Sequence, residues 1–200
     1  GYELGRYGKA SLGISYEWQR NNRLVGSSPE GGQDGGSGGN FLKLDVDRLD
    51  SVSFPTRGYK LSLRATKYWK DLGRSERSTA IDASGTVSRT FSPWTFTASV
   101  KGGDSPVEGS FKLGGAFNLT GSNYGRYAGD RMAFGRLMAY RSLSSQLMKI
   151  GNRMDEERPG WKKAAGLYLG ADTWIGPIYL VGGKTFGGSS AIYFMWGHIR

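Results

Sequence analysis

This chain of 200 residues contains no cysteine and one histidine, His198. Disulfides and thiolate metal sites are thereby excluded, and a histidine-activated nucleophile would have only that one base. No run of about 18 apolar residues occurs, so no helix of this sequence crosses a bilayer. No cationic, then apolar, then small-residue leader opens the chain at Gly1, so any signal peptide is expected to have been removed. Like charges do not run together: 27 Lys and Arg against 17 Asp and Glu leave a net +10 spread along the chain. That spread, with no recognition motif, gives no nucleic-acid partner. It fits a solvated surface, a polar channel or attraction to anionic lipid headgroups. No carboxylate pair is placed for acid–base work, and the run Asp155–Arg158 beside Pro159-Gly160 predicts a solvated outer loop without calcium-loop spacing. Gly35–Gly39 is formally G-x-S-x-G, but it lacks the flanking strand, helix and nearby histidine of a nucleophile elbow. The expectation is a non-enzyme with no metal and no cofactor.

Glycine is what the sequence has in excess, at 33 residues, about twice the usual ~7%. Threonine and aromatics are also plentiful, and this composition favours strands. Period-two alternation, the mark of a strand with two different faces, runs through the chain. In 59–69 Tyr59, Leu61, Leu63, Ala65 and Trp69 oppose Lys60, Ser62, Arg64 and Thr66. In 81–91 Ile81, Ala83, Gly85, Val87 and Phe91 oppose Asp82, Ser84, Thr86, Ser88 and Thr90. In 94–101 Trp94, Phe96, Ala98 and Val100 oppose Thr95, Thr97, Ser99 and Lys101. Segments 41–50 and 165–175 alternate too, and 7–20, 131–142, 146–154, 177–186 and 190–199 are weaker strands. That makes about ten, most near the ~9–11 residues of a membrane-crossing strand.

The connections at 21–40, 70–78, 105–130 and 155–161 are long and alternate with tight ones, as in transmembrane barrels with one decorated and one trimmed rim. Trp18, Trp69, Trp94, Trp161 and Trp174 fall at or near strand ends, where aromatic girdles belong. A soluble barrel or sandwich would show the same alternation with its apolar face inside. The polar faces, rich in Ser and Thr with opposed charges (Lys60, Arg64, Asp82), suit a wet lumen better. Apolar faces diluted by Ala and Gly suit lipid better than a jigsaw core. The expected fold class is all-β: an antiparallel transmembrane β-barrel, closed on itself, by a second copy or by a missing segment.

Phe111–Asp130 is a long, glycine-rich connection that also carries Phe111, Leu113, Phe117, Leu119, Tyr124 and Tyr127. Those are too many apolar groups for a solvated tip, so the segment is expected to fold back onto a wall. Residues 1–200 then read as one barrel domain, with 21–40 a mobile outside loop and 105–130 a loop folded back onto its wall. Parity places the docking wall on Gly166, Gly170 and Asp172, opposite Leu167, Leu169 and Ile175. Arg136 shares a face with Met132, Phe134, Met138 and Tyr140, an awkward lipid-facing charge that a bulge or partner would have to cover.

Several stretches together resemble one family. Asp45-x-Asp47 followed by Ser53 and the turn motif Phe54-Pro55-Thr56-Arg57-Gly58 is similar to a strand–turn–strand of the bacterial surface antigen family. Lys112-Leu113-Gly114-Gly115-Ala116-Phe117-Asn118-Leu119-Thr120-Gly121 resembles its lumen-inserted loop. Leu169–Leu180 and Ile192–Gly197 resemble its final three strands. The likeness covers about 41–200 and is nearest to the barrel of patatin-like type V (Vd) autotransporters. It implies an outer-membrane barrel of the assembly and two-partner-secretion superfamily, with Phe54 to Gly58 a periplasmic turn and Gly114, Gly115, Asn118, Leu119, Thr120 and Gly121 the loop motif. Thr120 stands where assembly factors carry an arginine, and Ile199-Arg200 lacks the terminal aromatic of an assembly signal. The resemblance implies a bacterial outer-membrane translocator or assembly protein that anchors, secretes or inserts a protein client. Its partners would be outer-membrane lipid, lipopolysaccharide and, for closure, a second copy in a homodimer. A small porin-like or structural barrel and a membrane-embedded lipid hydrolase using His198 are the alternatives.

Overall fold

The computed structural model describes residues 1–3, 5, 8–19, 35–69, 78–106, 110–142, 149–157 and 162–197, by backbone alone over 17–19, 35–37, 142 and 149–157. The described residues form strands and turns without a helix. The strands are β1 (Tyr2–Glu3), β2 (Lys9–Gln19), β3 (Gly35–Asp47), β4 (Gly58–Tyr68), β5 (Ser78–Phe91), β6 (Trp94–Asp104), β7 (Phe111–Leu113), β8 (Tyr127–Gly129), β9 (Arg131–Ser142), β10 (Lys149–Glu157), β11 (Lys163–Thr173), β12 (Gly176–Thr185) and β13 (Ser190–Trp196). Ten of them are long. With the short β1 they make one antiparallel sheet in the order β1-β2-β3-β4-β5-β6-β9-β10-β11-β12-β13, while β7 and β8 pair separately. The antiparallel all-β expectation holds. A closed barrel does not form within the described residues: the sheet order ends at β1 and β13, and no pairing joins these edges.

Every pairing joins neighbours along the chain except β6 with β9, where the β7–β8 hairpin is the insertion. Because successive strands alternate in direction, connections 20–34, 69–77, 105–130, 158–162 and 186–189 fall on one rim. Connections 48–57, 92–93, 143–148 and 174–175 fall on the other. The longer connections do collect on the first rim, with 186–189 short there and 48–57 long on the opposite side.

Three expectations change. Gly35–Asn40 belong to β3, paired along their length with β2 and at Gly39 and Asn40 with β4, so the last six residues of the expected loop 21–40 are strand, and 21–34 lie outside the description. At Gly39 the strand needs glycine: a Cβ would stand 2.3 Å from the carbonyl oxygen of Lys67. Asp155–Glu157 are strand residues of β10 rather than a loop, all three paired with β9 and the first two also with β11. Arg136 points to the interior side of the sheet, where its guanidinium donates to the Phe117 carbonyl and to Ser99 Oγ, each at 3.0 Å. It carries no charge into the outer face. His198 lies outside the described residues.

The two faces of the sheet differ in chemistry. Leu12, Ile14, Leu42, Leu61, Leu63, Val87, Val100, Leu137, Leu167, Leu180, Ile192 and Phe194 are exposed on the outer side. Thr66, Ser88, Thr95, Thr97 and Ser99 are buried on the other. The usual arrangement of a soluble domain, with large apolar groups inside, is reversed over most of the sheet. Across β5 and β6 the interior side carries a ladder of hydroxyl pairs: Thr86 with Ser99 at 3.1 Å, Ser88 with Thr97 at 2.7 Å and Thr90 with Thr95 at 2.8 Å.

Candidate functional site: two inserted segments and the cavity between them

From the rim of long connections, 111–130 folds down onto the interior side of β9 and β11–β13. Its glycines are dictated by space. Gly114 has φ +120° and a Cβ there would lie 2.1 Å from the Asn123 carbonyl oxygen. Gly121 has φ +96° and a Cβ there would lie 2.6 Å from the Thr185 amide nitrogen. Only glycine tolerates both demands. Around this second glycine Leu119, Thr120 and Ser122 are fully buried. Thr120 donates to the Ala116 carbonyl at 2.8 Å, and its methyl sits over a pad of two glycines paired across β11 and β12, Gly166 and Gly183. A Cβ on Gly183 would come within 1.8 Å of that methyl, and one on Gly166 within 2.8 Å.

Hydrogen bonds from the last two strands complete the seat. Thr185 Oγ1 donates to the Thr120 carbonyl at 3.2 Å and shares a bond with Ser122 Oγ at 2.9 Å. Ser189 Oγ donates to the Gly121 carbonyl at 2.7 Å, and the Tyr193 hydroxyl donates to the Ser122 carbonyl. Arg126 donates to Ser189 Oγ at 3.0 Å. These side chains satisfy the carbonyls that a tight turn leaves over, which is why the segment can be buried.

From the opposite rim, 48–57 folds inward to meet it. Asp50 organises this turn. Its carboxylate accepts from the Thr56 amide at 2.8 Å, the Arg57 amide at 3.2 Å and the Thr56 hydroxyl. Partial burial raises the Asp50 pKa, but these three donors outweigh it and hold the carboxyl below its ordinary value of 3.8. Gly58 (φ +107°) closes the turn, since a Cβ there would lie 2.0 Å from the Arg48 carbonyl oxygen. Phe54 then reaches into the interior over Gly170, where a Cβ would meet its ring at 2.6 Å. Tyr140 donates to the Pro55 carbonyl, Tyr179 to the Ser53 carbonyl at 3.4 Å, and Thr90 to the Thr56 carbonyl at 2.9 Å.

The two segments meet at Tyr179, which is 1% exposed. Its ring lies 5.2 Å from Phe54 of the turn and 5.4 Å from Phe117 of the loop. Phe117 also stands edge-on to Tyr168 at 6.1 Å, and Tyr168 to Tyr140 at 6.3 Å. Such tilted and edge-to-face pairs are favourable beyond their area. With Ala116 and Val181 they form the apolar core of the described chain.

Of the expected loop motif, Gly114, Gly115, Leu119, Thr120 and Gly121 are buried and Asn118 is half-buried. Of the expected wall, Gly166 receives the loop, whereas Gly170 receives Phe54 of the turn. Asp172 shares their face but is exposed and pairs with Pro177 at the other end of β11, about 20 Å along the strand from Gly166. Gly183, Thr185, Ser189 and Tyr193 on β12–β13 and Asp50 in the turn were not legible as site residues. Asp50 had a readable signal, an acid shortly before a Pro-Thr turn; Gly183 had none.

Between the two segments and the wall of β4–β6 lies a cavity of about 600 Å³. Ser84, Thr86, Thr97 and Ser99 give it a hydroxyl side, and Phe117, Met138, Tyr140 and Met195 an apolar side. Among the described residues no cluster of three or more His, Cys, Asp or Glu could hold a metal. Compared with known families and with curated proteins, the chain matches no family model and no curated protein.

Proposed function

We propose that this sheet is the wall of an outer-membrane β-barrel that translocates or assembles a protein client, with 111–130 as its internal plug. The observation that carries the membrane reading is where the outward charges stand. On β9, Arg131 and Arg141 face outward ten residues apart, with Ala133, Gly135, Leu137 and Ala139 between them. At ~3.3 Å per residue and a tilt of ~40° this gives a band of about 25 Å, the height of the apolar belt of transmembrane barrels. Lys67, Arg89, Asp104, Lys163 and Lys184 likewise fall at or near strand ends. Among the described side chains no outward charge lies mid-strand. Trp94, Trp174, Trp196, Tyr59 and Phe91 gather at the rim of short connections, where an interface girdle belongs.

The client and the assembly role are supported by the resemblance of the 54–58 and 112–121 motifs, since both segments fold inward and pack against Tyr179. A porin-like barrel is the second reading, favoured by the charged interior of β2–β5, and planar-bilayer conductance tests it. In lipid neither edge can stay unpaired, because each unsatisfied backbone group costs several kcal/mol. With ten long strands, β2 and β13 run in opposite directions. Closure is therefore antiparallel, whether onto each other, onto a second copy in a homodimer or onto a further segment, and particle mass in detergent separates these. The membrane reading is tested by Leu63→Arg against Ser62→Arg. Outward Arg at mid-membrane costs ~2–4 kcal/mol, so Leu63→Arg abolishes the heat-modifiable membrane-extracted form and Ser62→Arg preserves it. Equal assembly of both variants would end the membrane reading.

A further inference from the structure

On the outer face, the rim of short connections carries arginines with no acid beside them. Register sets Phe91, Trp94 and Arg141 in one row across β5, β6 and β9, and Arg89, Phe96 and Ala139 in the next. Both arginines are exposed, as are Phe91, Trp94 and Phe96, and the rings of Phe91 and Phe96 stand 6.3 Å apart. The Arg89 guanidinium lies 5.3 Å from the centre of the Phe91 ring, which carries its charge toward the row of Arg141. A ring face attracts a cation without neutralising it. The two arginines thus flank Trp94, on strands two spacings or ~10 Å apart. The described carboxylates near this rim, Glu3, Asp47, Asp50 and Asp172, belong to the interior side or to the inward turn. Connections 92–93 and 143–148 contain no Asp or Glu, and Ile150 is the residue beside Arg141 on β10. The opposite rim is built differently, for there Arg131 is paired on the same outer face with Asp104 at 3.0 Å.

We infer that this patch holds the headgroup of an anionic phospholipid, with Arg89 and Arg141 donating to its phosphate oxygens over Trp94. The acyl chains run from there toward mid-wall along Phe96 and Leu137. Exposed aromatic side chains of a membrane wall sit at headgroup level, so the anion presented at this depth is a lipid phosphate. The planar guanidinium matches phosphate oxygens in charge and in geometry. A zwitterionic head would bring its own ammonium to a surface that is already positive, so an anionic lipid is preferred. The inference rests on the membrane reading and adds to it which lipid is held, and where.

The test uses the full chain, folded in nonionic detergent, checked by heat-modifiable mobility and shown to insert into phosphatidylcholine vesicles. The detergent-folded chain is equilibrated with equal amounts of phosphatidylglycerol and phosphatidylcholine, and native mass spectrometry counts the lipids each chain keeps. The expected result is retention of phosphatidylglycerol over phosphatidylcholine by about tenfold or more. Arg89→Gln and Arg141→Gln, both at exposed outward positions that leave folding intact, each lower that preference by roughly fivefold. Lys184→Gln, outward at the opposite rim, leaves it unchanged. Equal retention of the two lipids, an unchanged preference in the double variant, an equal loss in Lys184→Gln, or displacement of the lipid by an equal concentration of inorganic phosphate would each overturn the proposal while the membrane reading stands. A folded chain that does not enter the vesicles would end both.

Discussion

On β2–β5 the interior side carries Lys9, Ser11, Lys43, Asp45, Arg64 and Asp82, each partly or fully exposed. On β9–β13 it carries Phe134, Tyr140, Tyr168, Tyr179 and Val181, nearly all closed off by the loop and the turn. The same sheet thus presents water on one half and its own chain on the other. In the first half charges balance locally, Lys43 with Asp45 at 2.9 Å and Lys60 with Asp47 at 2.9 Å. In the second half Gly166, Gly170 and Gly183 stand where a methyl or a ring must fit. Alternation encodes which side is the apolar outer one; the covering segment decides what the other side is made of.

The sharpest way to break this comparison is to remove a ring from the covered half. Phe117→Ala should cost about 3–5 kcal/mol in urea unfolding of the detergent-folded protein, while Lys43→Gln in the open half should stay within ~0.5 kcal/mol. Comparable losses would show that the halves are not energetically distinct. Next comes the glycine pad. Gly183→Ala should cost about 2–3 kcal/mol by overpacking and expose 111–130 to protease. Adding Thr120→Ser, which removes the clashing methyl, should restore most of the protection. A smaller effect separates the hydroxyls: Ser99→Ala, which breaks bonds to Thr86 and Arg136, should cost about 1–2 kcal/mol. Ser62→Ala, whose hydroxyl bonds Asp45 at 2.8 Å, should cost about half that.

The smallest effect depends on pH. Since the Asp50 pKa is depressed in the folded chain, its contribution is present above the ordinary value of 3.8 and disappears as pH falls through the folded value. Asp50→Asn should therefore lower the thermal midpoint most near neutrality, with the gap to wild type closing in acid. A gap independent of pH would assign the loss to shape rather than charge.

The faces of β4, β5 and β6 could be read directly from sequence because one side is dominated by Ser, Thr and charge, with Tyr68, Ala80 and Gly103 only toward the strand ends. β9 defeated that reading. Met132, Phe134, Met138 and Tyr140 look like a lipid face, yet they are the covered interior, and the smaller Ala133, Gly135, Leu137 and Ala139 point outward. Where both sides are apolar, period two gives register but not direction. The inward fold of 111–130 was legible from its mix of glycine and aromatics. Its seat was legible only in part: parity reached Gly166, but its partner Gly183, whose role is to be small, gave no signal, and Asp172 drew the inference by its charge. Gly35–Asn40 read as a loop on composition, while pairing with both neighbours made it strand.

The seat of the loop also sets an order in time. Asp50 closes the 48–57 turn on residues six and seven positions away, so this shape is available once β3 and β4 exist. The loop finds its partners 63 to 71 residues later in the chain, at Thr185, Ser189 and Tyr193. Contacts of such separation form late, because the entropy of closing the intervening chain is lost before they reward it. Segment 111–130 therefore has nowhere to settle until the β12–β13 hairpin is in place. Its burial then reports that the last two strands have joined the sheet.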